Sequence, residues 1–457
     1  MTRRSQVVVI GGGFAGLSAA VALSRRGLNV TVLEQKPELG GRAYSFVDEQ
    51  IGDTVDNGQH LMMGCYDQTL SFLNTIGAAD RLVFQENMAV EMIAPGGVCA
   101  RLRAARLPGP AHMAHAVMRY AHLRFAERVW LLVGGARMLA MQRRERALLE
   151  RFSVSALLDR LGQSANARRV FWYPLTIATL NEEPARASAA LLAEVLRRAF
   201  FGARRNSAFV YANVGLSELY CAPSKTYIEC NGGAVLTRAA VAGIELDANK
   251  RVSKVRLREG REISADYFIS AVPWAALLRI LPVTVAEDSF FSRLSRLSFS
   301  PIICTHLWLD RKIIDAPFVG FIDTTTQWLF NKDALWAGRS LGAPAHLSFV
   351  ISGARSLIDR SNQALAAQVL ADLNAMIPQA RDAQVLRTLV VKEKQATMAP
   401  SPESCEIRPP CVTPLENLFL AGDWVQTGLP ATIESAVTAG HNAAQAVAAR
   451  AGLKTAV

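Results

Sequence analysis

The sequence predicts an α/β fold in which one parallel-sheet domain is assembled from three separated stretches of chain, with an α+β region inserted between them. Three observations predict it. An apolar run at residues 6–10 leads through a glycine-rich turn into a helical pattern over 14–26 and a second apolar run at 29–34. Residues 110–200 are helical by period, rich in Ala, Leu and Arg, and poor in strand signals. An apolar run at 417–421 and a helical pattern over 432–450 close the chain. Strand–helix–strand succession places a parallel sheet at the N-terminus, and strand character resumes only after long insertions.

Each element has a local reason. Val7, Val8, Val9 and Ile10 read as a buried strand, and Leu17, Ala20, Val21 and Leu23 fall on one side of the helix that follows. Residues 252–257 alternate, Arg258-Glu-Gly-Arg261 supplies a turn, and 267–272 read as another buried strand. Residues 301–310 and 317–330 read as strands of a second sheet, and 362–377 as an amphipathic helix. The expected boundaries give the parallel-sheet domain residues 1–85, 222–285 and 395–457. The inserted domain takes 86–221, mostly helical, and 286–394, sheet plus helix.

The chain has 457 residues, enough for two domains at roughly 100–200 residues each, and 51% of them are hydrophobic. The formal net charge is +11, which suits an anionic cofactor or lipid surface; no nucleic-acid motif accompanies it. The 7 cysteines are odd in number and form no Cys-x-x-Cys, so neither a disulfide framework nor a metal site is expected. Met1-Thr-Arg-Arg runs straight into the first strand, which predicts a cytoplasmic protein without a signal peptide. No stretch of about 18 residues is apolar and uncharged, so no spanning helix is expected.

Gly11-Gly-Gly13-Phe-Ala-Gly16 fits G-x-G-x-x-G between a strand and a helix. Gly11 permits the tight turn, Gly13 lets backbone approach a pyrophosphate, and Gly16 allows close helix–strand packing. The helix N-terminus offers free N–H groups to phosphates. Glu34 closes the second strand about 20 residues on, where a ribose-binding carboxylate belongs. A carboxylate there disfavours NADP and leaves NAD and FAD. Gly40-Gly41-Arg42 follows; it resembles the second pyrophosphate contact of the FAD-dependent amine oxidase and carotenoid desaturase superfamily. Ala421-Gly422-Asp423 ends the last strand before the last helix. In that superfamily such an Asp bonds the ribityl chain, and the helix N-terminus faces the flavin pyrimidine edge. Asp56-Asn-Gly58-Gln59-His60 resembles the superfamily's Asp-x-Gly segment beside the flavin ring. His60 titrates near neutrality and is the first candidate acid or base.

The chain as a whole resembles the squalene-associated FAD-dependent desaturase family, whose members act as hydroxysqualene dehydroxylases. The resemblance runs from residue 6 to about 449 and rests on Asp56–His60, Pro174-Leu-Thr-Ile-Ala-Thr-Leu-Asn181 and Ala421-Gly-Asp-Trp-Val-Gln-Thr-Gly-Leu-Pro-Ala-Thr-Ile-Glu434. It implies an amine oxidase-like architecture: a discontinuous Rossmann-like FAD-binding domain with an inserted α+β substrate domain. It implies FAD held by Gly11, Gly13, Phe14, Ala15, Gly16, Glu34, Gln35, Gly40, Gly41, Arg42, Gly58, Gln59, His60, Val241, Gly422, Asp423, Ala431, Thr432 and Ile433. It implies a long isoprenoid substrate, loss of its hydroxyl as water, and hydride delivery from reduced FAD. His60, then Asp53, is expected to protonate the leaving group. Trp172, Phe200, Phe201, Trp308, Phe330 and Trp336 are expected tunnel walls. Membrane contact is expected on the Arg-rich helices at 112–150, with Leu131, Leu132, Met138, Leu139 and Met141 as the apolar side. Neighbouring prenyl-synthase-type enzymes are expected partners. The flavin motifs also admit a carotenoid desaturase, an amine oxidase, or a flavin-bound lipid carrier without turnover.

Overall fold

A computed structural model describes residues 4–336 and 343–453. The first strand, Gln6–Ile10, lies at the centre of a five-stranded parallel sheet in the order Ala234–Leu236, Asn29–Leu33, Gln6–Ile10, Tyr267–Ser270, Leu418–Leu420. These strands come from three distant stretches of chain, as expected. Both faces are covered, so Val7, Val8, Val9 and Ile10 are all buried. Each such side chain contributes about 2 kcal/mol relative to remaining exposed. The first helix, Phe14–Ser24, packs against the last, Ile433–Arg450. Gly440 allows this contact, because a Cβ there would strike the Ala15 carbonyl oxygen.

The inserted half is built on a seven-stranded sheet in the order Val385–Met398, Phe299–Leu309, Ala345–Ser352, Trp328–Asn331, Phe318–Phe321, Ala89–Ala94, Val98–Arg103. Stretch 86–221 therefore opens with a β-hairpin, not with helix. Its strand Ala89–Ala94 docks parallel to Phe318–Phe321, a pairing that no local pattern announces. Strand Val385–Met398 runs unbroken through the expected boundary at 394/395, because Phe299 and Ser300 still pair with Met398 and Thr397.

Beyond residue 110 the region is helical, including the 20-residue helix Phe125–Arg144. Among the described residues three segments wind with i→i+5 bonds, Arg168–Trp172, Leu196–Phe200 and Ser217–Cys221. Such widened turns often mark functional sites; here the first two carry Val170, Phe171 and Phe200 to the main cavity. Among the described residues, no helix is long and apolar enough to cross a membrane.

Candidate functional site: a flavin cleft continuous with an apolar tunnel

One cavity of about 790 Å³ runs between the two halves. That is near the upper end of small-molecule sites, roughly 300–1,000 Å³. Its first arm is lined by Gly11, Gly13, Phe14, Ala15, Glu34, Gln35, Gly40, Gly41, Arg42, Val241, Gly422, Asp423, Ala431, Thr432 and Ile433. Gly58, Gln59 and His60 line it as well. Of the residues expected to hold cofactor, Gly16 alone stands behind the wall. A Cβ on Gly16 would collide with the Gly11 carbonyl oxygen, whereas one on Gly13 meets nothing nearer than 3.7 Å. Gly16 thus closes the helix onto the strand, and Gly13 leaves backbone bare toward the cavity.

The rest of the arm is equally built. Glu34 accepts the Gly12 N–H at 2.8 Å and the Lys36 N–H at 2.9 Å, which fixes its carboxylate at the end of the second strand. Gly40 and Gly41 have φ of 123° and 60°, values that favour glycine. The Tyr220 hydroxyl sits 2.8 Å from the carbonyl oxygens of both Gly40 and Ala43, and its ring stacks on Phe14 with centroids 3.6 Å apart. Arg42 reaches Asp423, with Nη2 2.5 Å from Oδ1. Behind Asp423, the buried Arg408 donates to the carbonyl oxygens of Asp423, Val425 and Leu429 and to Ser435 Oγ. Burial lowers the Arg408 pKa from its ordinary value. A glycine cradle opposite a second glycine turn, an arginine, a ribose-side carboxylate and a helix N-terminus at Thr432 together fit an FAD.

The second arm is apolar. Helix Tyr173–Leu180 presents Pro174, Leu175 and Ala178 to it. The helix stops at Asn181, whose φ is 52° and whose amide ties Ser300, Thr397 and Gly353 together. Across the gap stand Ile302, Trp328, Phe330 and Val350 of the seven-stranded sheet, and Met92, Leu102 and Tyr120 reach the same space. Of the six aromatic walls expected, Phe200 and Phe330 line the cavity. The others do not. Trp172 is buried behind it, donating to Gln163 Oε1 at 2.8 Å. Trp308 donates to Asp53 Oδ2 at 2.7 Å. Phe201 lies partly exposed, and Trp336 covers the Lys332 ammonium at 3.7 Å. Trp328, Phe171 and Phe209 take their place.

Asp53 is bound to Trp308 and does not line the cavity; the expectation that it protonates a substrate is corrected. His60 does line it. Its Nδ1 lies 2.8 Å from the Gly58 carbonyl oxygen. A carbonyl only accepts, so Nδ1 carries the proton. Burial, assisted by the Lys332 charge and opposed by Asp56, lowers the His60 pKa. The neutral ring therefore offers Nε2 as an acceptor, and an acid role requires protonating it against burial. Sequence reasoning missed Glu393, a third carboxylate on the cavity wall beside Glu34 and Asp423, together with Arg408 and Lys332. Lys332 pairs with the distant Asp56, and Arg408 binds backbone carbonyl oxygens, so no side-chain pattern flagged either. The apolar residues expected at a membrane are corrected too: Leu131, Met138 and Leu139 are buried, and Phe125, Val129 and Trp130 are exposed on that helix.

The chain is 27% identical to a hydroxysqualene dehydroxylase of Rhodopseudomonas palustris, over 97% of this chain and 98% of the relative. It is 26% identical to a 15-cis-phytoene desaturase of Synechococcus elongatus, over 97% and 96%. Cyclohexylamine oxidase of Brevibacterium oxydans shares the fold, with a TM-score of 0.73 at 17% identity, covering 98% of this chain and 100% of that one. The pattern of the flavin containing amine oxidoreductases matches residues 14–448. With the glycine cradle, Glu34, Arg42 and Asp423 around one cleft, the chain belongs to the flavin-containing amine oxidoreductase family, within the amine oxidase and carotenoid desaturase superfamily, and is an FAD-dependent oxidoreductase.

Proposed function

We propose that the protein reduces an allylic alcohol of a long isoprenoid, hydroxysqualene, to the hydrocarbon. One observation carries the reading: the flavin arm opens directly into an arm walled by Leu175, Ala178, Phe200, Ile302, Trp328 and Phe330. A neutral C30 chain gains stability from such a wall at roughly 25 cal/mol per Å² buried, and aromatic faces favour a passing carbocation. Bound in its reduced form, FAD supplies a hydride. The substrate's C–O bond breaks, its oxygen leaves as water with one added proton, and a C–H bond forms in its place. The chain's own residues hold the alkyl chain, keep water out and present His60 and Glu393 to the cavity.

Desaturation is the second reading. The neutral His60 with its open nitrogen suits proton removal better than proton donation, and phytoene desaturases are as similar as dehydroxylases. Anaerobic mixing separates the two. Reoxidation of the reduced holoprotein by hydroxysqualene, with squalene found by mass spectrometry, supports reduction. Bleaching of the oxidised protein by phytoene supports desaturation. No spectral change with either, or with an amine, leaves a carrier without turnover.

The same reading includes contact with a lipid surface. Phe125, Val129 and Trp130 are exposed on helix Phe125–Arg144, beside Arg124, Arg137, Arg143 and Arg144. The Arg137 guanidinium lies 5.5 Å from the Trp130 ring centroid. Exposed aromatics beside arginines suit an anionic bilayer interface. Flotation with anionic liposomes, lost in a Phe125→Ser/Trp130→Ser variant, is the expected result; absence of the wild type from the lipid fraction at low salt rejects it.

A further inference from the structure

Lys332 enters from the end of strand Trp328–Asn331 and is wholly buried. Its Nζ lies 2.9 Å from Asp56 Oδ2 and 2.6 Å from Gln59 Oε1. The other Asp56 oxygen accepts from Ser45 Oγ at 2.7 Å and from the Leu216 N–H at 3.0 Å. Asn57 is tied to the backbone of Arg42 and Tyr44. Segment 56–60 is therefore fastened on both sides, and the substrate-side sheet supplies one of the fastenings.

An ammonium has three donors and no acceptor. Whatever faces it on a carboxamide must be the oxygen, so the Gln59 amide has one permitted orientation. Gln59 lines the cavity. With its oxygen held by Lys332, the polar atom left for a bound molecule is Nε2, a pure donor.

We propose that Lys332 is a positioning residue: by holding the Gln59 side-chain oxygen it makes the Gln59 NH2 a fixed hydrogen-bond donor toward the cavity, for a lone-pair acceptor on the flavin ring edge or on the substrate oxygen. The inference rests on the flavin site and only in its second arm on the substrate reading. Its magnitude follows from the orientation being imposed in advance: an amide free to turn would present its oxygen, which repels an acceptor, about as often as its NH2.

Two variants of the FAD-loaded protein test it. Gln59→Glu keeps an acceptor for Lys332 and removes the NH2; Lys332→Met keeps the amide and releases its orientation. If the acceptor is on the flavin, both variants shift the visible flavin band with no substrate present, and the sulfite adduct weakens about ten-fold in Gln59→Glu, which loses the hydrogen bond, and at least about two-fold in Lys332→Met, whose amide is free to turn. If it is on the substrate, the flavin spectrum stays and single-turnover hydride transfer to hydroxysqualene falls about ten-fold in Gln59→Glu and at least about two-fold in Lys332→Met. A wild type that fails with hydroxysqualene sinks the substrate reading and leaves the sulfite and spectral arms to decide Lys332. Should Lys332→Met not fold, Lys332→Met/Asp56→Asn removes both charges of the buried pair, and Gln59→Glu decides alone. Wild-type spectrum, sulfite affinity and transfer rate in Gln59→Glu would overturn the proposal.

Discussion

Arg42 and Asp423 are 381 residues apart in the chain and 2.5 Å apart in space. The pair joins the second flavin motif to the third, and both residues line the same arm of the cavity. Arg42→Ala should raise the Kd for FAD by about 10- to 100-fold, the effect of losing one charge-assisted hydrogen bond of about 1.5–3 kcal/mol. Titration of the apoprotein with FAD by fluorescence quenching measures it. An unchanged Kd would mean that Arg42 serves only to hold Asp423.

Gly13 and Gly16 belong to one motif but should fail differently. Gly16→Ala drives a methyl group into the Gly11 carbonyl and should destabilise the fold by about 1–3 kcal/mol. Gly13→Ala meets no protein atom closer than 3.7 Å, so the melting temperature of the apoprotein should hold while FAD affinity falls. Thermal melts of the two apoproteins, followed by FAD titration, separate packing from contact. Equal loss of stability in both would contradict the assignment.

Arg408 should be among the least replaceable residues of the flavin side. Its guanidinium satisfies three carbonyl oxygens of the stretch 423–429 inside the protein. Arg408→Met takes the side-chain donor from Val425 and Leu429 and leaves Asp423 with the Ser435 hydroxyl at 3.4 Å, at about 1–3 kcal/mol for each carbonyl left unsatisfied. Urea denaturation should show a loss of several kcal/mol, and a loss under about 1 kcal/mol would mean that water replaces the side chain.

These residues also mark how much was legible in the sequence. Gly11, Gly13, Gly16 and Glu34 were readable because a dinucleotide turn is built within about 25 residues, and each glycine answers a local backbone demand. Asp423 was readable because a strand end and a helix start flank it. Lys332 was not, because its partner Asp56 lies far away in the chain and is met only by packing; Arg408 was not, because its partners on the nearby stretch 423–429 are backbone carbonyl oxygens, which leave no mark in the order of side chains. The tunnel walls were half legible. The right strands were named, but where along a strand the cavity ends is set by tertiary packing. Along Phe299–Leu309, Ile302 and Trp308 fall on one face by the two-residue alternation, yet Ile302 lies at the cavity while Trp308, six residues on, meets Asp53.

Ala178 offers a test of the tunnel without touching the flavin arm. It faces the cavity from helix Tyr173–Leu180, opposite the sheet. Ala178→Trp should fill that space, leave FAD bound at wild-type stoichiometry, and raise KM for a C30 alcohol at least about ten-fold. A short allylic alcohol should be affected less. Equal effects on long and short substrates would place the lipid chain elsewhere.

The last prediction concerns acid. His306 is wholly buried, with Nδ1 3.0 Å from His346 Nε2 and Nε2 3.3 Å from Cys304 Sγ. Burial first, and the Lys332 charge second, push its pKa down to about 3. His441 is pushed down to about 4 by burial and Arg26. Both folded values lie below the unfolded value of about 6.5. As pH falls below about 6.5 the unfolded chain takes up protons that the folded chain refuses, so stability is full above that pH and declines toward pH 3. At pH 4.5 His306 alone should account for about 2–3 kcal/mol of lost stability. Urea midpoints measured from pH 7.5 to 4.5 should therefore fall steadily in the wild type. His306→Gln should start lower at pH 7.5, having lost its place between His346 and Cys304, and then fall less steeply. Parallel curves for the two proteins would show that His306 takes up its proton without unfolding the chain.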